Sequence, residues 1–149
     1  MEYKKIEKRL RLPNLGELKK IFNFEIEKEE NNFNQIRKEI SEKLFDFSEK
    51  IIEPIIYGSD SFCSLFEENM ITEEERERVF EIYKKIQSLK WENNLLLIRP
   101  DEIKSAKWIK KAWNLWKKEL ENELVIFCKK LSANWKTLKI KTEKTNYHI

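Results

Sequence analysis

From Ile103 to Leu138 the apolar residues fall at Ala106, Ile109, Trp113, Trp116, Leu120, Leu124, Phe127, Leu131, Trp135 and Leu138. Steps of three or four residues, kept over such a distance, are the period of one helix face and exclude an alternating strand. A continuous helix over residues 102–136 would be about 50 Å long at 1.5 Å per residue. Three of the five tryptophans lie on this face and Trp108 lies beside it, while lysines crowd the opposite side. So long and aromatic a helix predicts the spine of an all-α domain. A bend near Asn122 is compatible with the pattern, because residues 124–128 are apolar on every side.

The rest of the chain agrees with a single helical domain spanning 1–149, a bundle of about five helices around the C-terminal one. Two glycines and three prolines in 149 residues are too few for the many turns of a β-sandwich. Asn14 reads as the N-cap of a short helix from Leu15 to about Ile21. Phe22, Phe24 and Ile26 alternate with polar residues, but the helix formers that follow favour helix continuation there. Phe33, Ile36, Ile40, Leu44, Phe47 and Ile51 define a helix from about Asn31 to Glu53, closed by Pro54 and Gly58. Ser59 or Asp60 caps a short helix holding Phe62, Leu65 and Phe66. Thr72 and Glu75 have the spacing of a capping box, opening a helix on Val79, Ile82, Tyr83, Ile86 and Leu89 that runs to Leu95 or Leu96. Asp101 or Pro100 then starts the long terminal helix. Residues 1–12 read as an arm, a short strand or a helical turn, and residues 137–149 as an added strand or a mobile arm.

Charge is unevenly spread. Residues 31–75 carry a net −7 and residues 76–149 a net +9, within a chain total of +3. Packing the acidic middle on the basic end would neutralise both; presenting the basic end outward would attract an anionic partner. Lys104, Lys107, Lys110, Lys111, Lys117 and Lys118 are the cations in question. They serve as a solvated face with stems shielding apolar surface, as phosphate contacts for RNA or DNA, or as the polar side of a helix on anionic lipid. The lipid reading is the weakest of the three. Single-strand binding also needs exposed rings, and here most rings lie opposite the lysines. Trp108, Leu115 and Ile126 extend the apolar arc to about half the helix circumference, wider than the roughly 100° stripe a small bundle requires. Either several neighbours surround the helix or a partner chain covers the excess.

Catalytic chemistry is poorly represented. His148 is the sole histidine and lies next to the C-terminus, so a histidine triad or zinc site would need the tail to fold back. Glu67, Glu68, Glu73, Glu74 and Glu75 could hold a divalent cation, but they fit capping and dipole roles better. No phosphate-binding glycine loop or cofactor motif occurs. Cys63 and Cys128 sit in apolar sequence and read as buried thiols, and a disulfide between them does not follow from spacing. Without a secretory leader or an 18-residue apolar run, the expectation is a cytoplasmic protein with neither catalytic residues nor cofactor. Abundant Lys and Glu would suit a thermophile, whereas twelve asparagines argue the other way. The functional expectation is an adaptor module in an intracellular protein assembly, bound to a protein partner or to a second copy through Trp108, Leu115 and Ile126. The alternative is an RNA- or DNA-binding accessory protein using the lysine face.

Overall fold

The computed structural model describes residues 3–26, 32–57 and 62–139, except the side chains of residues 62–64. Every regular element among them is helical: α1 (Tyr3–Leu10), α2 (Leu15–Phe22), α3 (Phe33–Phe47), α4 (Glu53–Tyr57), α5 (Phe62–Glu68), α6 (Glu73–Ile98), α7 (Glu102–Leu115) and α8 (Glu121–Thr137). A π-helical turn over Ser48–Ile52 joins α3 to α4, and another over Trp116–Leu120 joins α7 to α8. Six rods result where about five were expected, and the long C-terminal rod is present. Pro54 does not end its helix. Glu53 N–H reaches back to Ser48 O, and the widened turn gives the proline ring room ahead of the carbonyl it would otherwise strike. Gly58, Ser59 and Asp60 lie outside the described residues, as does the tail from residue 140 with His148.

Local chemistry sets the boundaries. Asn14 caps α2 by accepting from Gly16 N at 2.7 Å, and Asn32 caps α3 by accepting from Gln35 N at 2.8 Å. Helix does not continue beyond Phe22: Asn23 adopts a left-handed conformation, φ 50°, and Phe24 N–H turns back to Lys19 O, the geometry that ends a helix. Thr72 and Glu75 complete the capping box in both directions, at 3.0 and 3.1 Å. Asp101 accepts from Lys104 N at 2.8 Å and so starts α7. Residues 3–12 are not a free arm, since Tyr3, Ile6 and Leu12 are buried and the Tyr3 ring meets Phe33 at 5.4 Å.

Cross-links between rods give their directions. Glu102 accepts from Phe33 N and Asn34 Nδ2, both at 2.8 Å, and at the other end Phe47 stacks on Trp116; α3 and α7 are therefore parallel. Glu92 pairs with Lys111, Lys85 with Glu119 and Glu75 with Lys130, so α6 runs antiparallel to the terminal rod. The core lies between these three rods, with α1 and α2 closing one side. Near its centre Arg37 is fully buried. Its Nε donates to Ser105 Oγ at 3.1 Å, its Nη1 donates to Asn93 Oδ1, and Nη2 finds no partner among the described residues. Ser105 in turn donates to Asn34 Oδ1 at 2.6 Å. Burial pulls the Arg37 pKa below the usual guanidinium value, against the raising influence of the Glu102 carboxylate. One charged side chain thus ties α3, α6 and α7 together.

Candidate docking surface

The wide apolar arc of α7 is covered by the chain itself. Ser105, Ala106, Trp108, Ile109, Ala112 and Leu115 are all buried, because α3 packs on one side of α7 and α6 on the other. Trp108 is 2% exposed and Leu115 6% exposed; Trp108 donates its indole N–H to Leu89 O at 2.9 Å and meets the Phe45 ring edge-on. Neither is available to a partner, which corrects the contact surface expected from the arc. Ile126 differs, at 43% exposed, on a face of α8 turned away from the buried Leu124 and Phe127. Further along the helix Trp135 packs on Phe66 and lies partly in solvent. Cys128 is exposed too, a free thiol on the wall of an open cleft between α4, α5 and α8 rather than a buried one. The side chain of Cys63 lies outside the described residues.

Large exposed apolar side chains gather elsewhere, at the tip where α6 turns into α7. Trp91 is 69% exposed, Leu95 59%, Leu97 50% and Ile98 76%. α6 buries Val79, Ile82, Tyr83, Ile86, Leu89, Asn93 and Leu96. Trp91, Leu95 and Ile98 follow one another by four and three residues on a different face, which nothing among the described residues covers. Pro100, also exposed, prevents α6 from continuing and fixes the corner.

The lysines divide into two sets. Lys104, Lys107, Lys111 and Lys118 are exposed and share the face of the terminal rod that borders α6; Lys111 and Lys118 line an open groove with Ser88 and Glu92 of α6. Ser88 also stands three residues before Trp91, so lysine row and apolar stripe are neighbours on one surface. Lys110 and Lys117 point away from it. Lys117 sits 5.3 Å from the centre of the Trp113 ring and pairs with Glu121.

Local carboxylates do not cancel this charge. Residues 82–118 hold ten basic and three acidic side chains, a net of +7. Of the three, Glu92 pairs with Lys111 at 3.2 Å, Asp101 caps α7 and Glu102 holds the first turn of α3. The acidic middle of the chain does not fold onto the basic end as a block. Pairs between α6 and the terminal rod mix the signs in both directions, with Arg78 and Lys85 on α6 reaching Glu123 and Glu119. Glu67 does not join the other glutamates as a cation site but accepts from Trp135 Nε1 at 2.9 Å. Among the described residues no group of three His, Cys, Asp or Glu could hold a metal ion, and no helix is long and apolar enough to cross a membrane.

Comparison with family models, curated proteins and solved structures finds no match. Trp91 and its neighbours had a legible signal. Trp91 is out of phase with the Val79–Leu89 face, and four consecutive apolar residues stand directly before Arg99 and Pro100.

Proposed function

We propose that the protein is a non-enzymatic adaptor that joins a larger intracellular assembly through the tip of its α6–α7 hairpin. The observation that carries this reading is the exposure of Trp91, Leu95, Leu97 and Ile98 within eight residues. Isolated surface leucines need no explanation, but a contiguous apolar patch with a charged rim marks a contact site, and tryptophan is the residue type most enriched at binding hot spots. Ile126 and Val125 on α8 form a smaller exposed patch, which offers the second contact an adaptor needs. The test is affinity capture from native lysate with the native chain and with the Trp91→Glu/Leu95→Glu variant, each with and without nuclease. The reading expects an associated assembly that nuclease does not release and the variant does not retain. Identical recovery by both chains would refute it.

A second reading, a nucleic-acid accessory protein, is favoured by the row Lys104, Lys107, Lys111 and Lys118 beside one exposed indole. It expects RNA or DNA binding that falls steeply with salt and weakens in Lys104→Glu/Lys107→Glu. Absence of binding at low salt to single- and double-stranded probes removes it.

A further inference from the structure

We infer that the surface the α6–α7 tip docks on is an anionic lipid bilayer, so that the adaptor tethers its assembly to a membrane face; the inference rests on the tip being the contact site. Three observations select this occupant. First, three of the four exposed apolar side chains, Leu95, Leu97 and Ile98, are aliphatic. A phosphate backbone would leave them in water, whereas the acyl boundary of a bilayer removes them from it. Trp91 stands 10 Å or so from Ile98 along the helix, at 1.5 Å per residue, and indoles prefer the headgroup level. Second, the tip is rimmed by Arg99, Lys104 and Lys107, exposed cations for which no carboxylate partner occurs among the described residues. Of the acidic side chains near the tip, Glu92 pairs with Lys111, Asp101 caps α7 and Glu102 holds the first turn of α3, so cations outnumber the carboxylates that would face an anionic surface. Third, the net charge of +7 over residues 82–118 opposes tip-to-tip pairing of two copies and suits a surface of spread negative charge. With no membrane-crossing helix among the described residues, attachment would be peripheral and reversible.

The experiment is flotation of the full chain with vesicles of phosphatidylcholine alone and of phosphatidylcholine and phosphatidylserine in equal parts. Flotation with the anionic vesicles and not with the neutral ones is expected, lost on raising salt. Lys104→Glu/Lys107→Glu should weaken partitioning by at least about 25-fold, taking about fivefold for each cation removed from the surface field. Brominated acyl chains should quench the indole emission; Trp91→Phe should lose most of that quenching and still float, while Trp91→Glu/Leu95→Glu should not float at all. All these positions are exposed, and an unchanged far-UV spectrum and melting temperature confirm that each variant is folded. Equal flotation with neutral and anionic vesicles, or none with either, overturns the lipid inference, as does flotation that the Trp91→Glu/Leu95→Glu variant retains. Binding to RNA or to a second copy without flotation overturns it equally. Capture from detergent-free lysate reads whether the tip binds at all, and flotation reads whether what it binds is lipid, so a failure here and a failure of the contact site itself are told apart.

Discussion

Arg37 offers a test in which the sign of the effect, and not only its size, is set by the structure. Asn93→Leu would remove the acceptor of Nη1 and leave two of the three guanidinium nitrogens buried without partners, since Nη2 already has none. A hydrogen bond to a charged group is worth about 1.5–3 kcal/mol, and breaking a buried charge network by removing one member costs about 3–5 kcal/mol. We expect a loss of about 3 kcal/mol, or a melting temperature lower by about 9 °C for a chain of this length. Arg37→Met alone removes the charge with similar volume and leaves Asn93 Oδ1 unpaired, at about 1–3 kcal/mol. Arg37→Met/Asn93→Leu removes both groups and should return to within about 1 kcal/mol of the native chain, because Ser105 keeps its bond to Asn34 Oδ1. The coupling between the two substitutions should then be at least about 2 kcal/mol. Urea unfolding followed by far-UV circular dichroism measures all four corners of the cycle. Additive effects, or a double variant less stable than either single one, would refute the claim that the arginine carries an unrecovered desolvation cost.

Three further outcomes follow from burial and charge. Trp108→Ala should cost about 3–5 kcal/mol in the isolated chain, against about 0.5 kcal/mol or less for Ile126→Ala; equal small effects in urea unfolding would return Trp108 to the surface. The hydrogen bond from Lys130, aided by the Thr72 cap, holds the Glu75 carboxyl below the ordinary value of 4.5 despite the opposing effect of burial. A depressed folded-state pKa contributes stability that is present above the unfolded value and is lost as pH falls from there through the folded one. The stability advantage of the native chain over Glu75→Gln should therefore shrink as pH drops below about 4.5, and an advantage that grows on acidification would contradict the assignment. Cys128, exposed and free, should react with an aromatic disulfide reagent in the native protein without denaturant, and protection until unfolding would count against its position on the open cleft.

Much of the fold is legible in the residues because its signals are local. Asn14, Thr72, Glu75 and Asp101 make the caps their sequence spacing announces, since a cap depends on three or four neighbouring residues. Tyr3, Ile6 and Leu12 show the limit of such reading: a short basic segment looks like an arm until other helices offer it a face to bury. The apolar arc of α7 misleads for a related reason. Width of an apolar arc counts how many neighbours a helix has, not whether they belong to the same chain, and α3 and α6 supply both neighbours of α7. Trp91, Leu95 and Ile98 could be found instead by being out of phase with the buried face of their own helix. Arg37 gave no signal, since a charged residue among apolar ones reads as the solvent side unless Asn93 and Ser105, 56 and 68 residues away, are known to converge on it.

The two π-helical turns show how a pattern that seems regular can hide one residue too many. Buried positions in the first rod include Ile40, Leu44, Ser48 and Ile52, and in the terminal rod Ala112, Trp116, Leu120 and Leu124. Each series takes three successive steps of four. In an α-helix of 3.6 residues per turn a step of four overshoots by about 40°, so three in a row would carry the last side chain about 120° from the first. A turn closed five residues back absorbs that excess and returns Ile52 and Leu124 to the core. Parallel neighbours make the same adjustment at the same level, where Phe47 stacks on Trp116 at 5.3 Å, and their apolar faces stay turned toward each other past the irregularity. Deleting Lys118, which is exposed and lies inside the second turn, would leave steps of four, three and four, the period of an ordinary α-helix. We expect that deletion to cost less than about 2 kcal/mol, with Leu120, Leu124 and Phe127 still buried. Deleting Lys84 from α6, an uninterrupted α-helix, has no excess to remove. It would rotate Ile86, Leu89, Asn93 and Leu96 by about 100° and should abolish cooperative unfolding. Equal tolerance of the two deletions in thermal denaturation would mean that the π-turn is not the residue-absorbing device described.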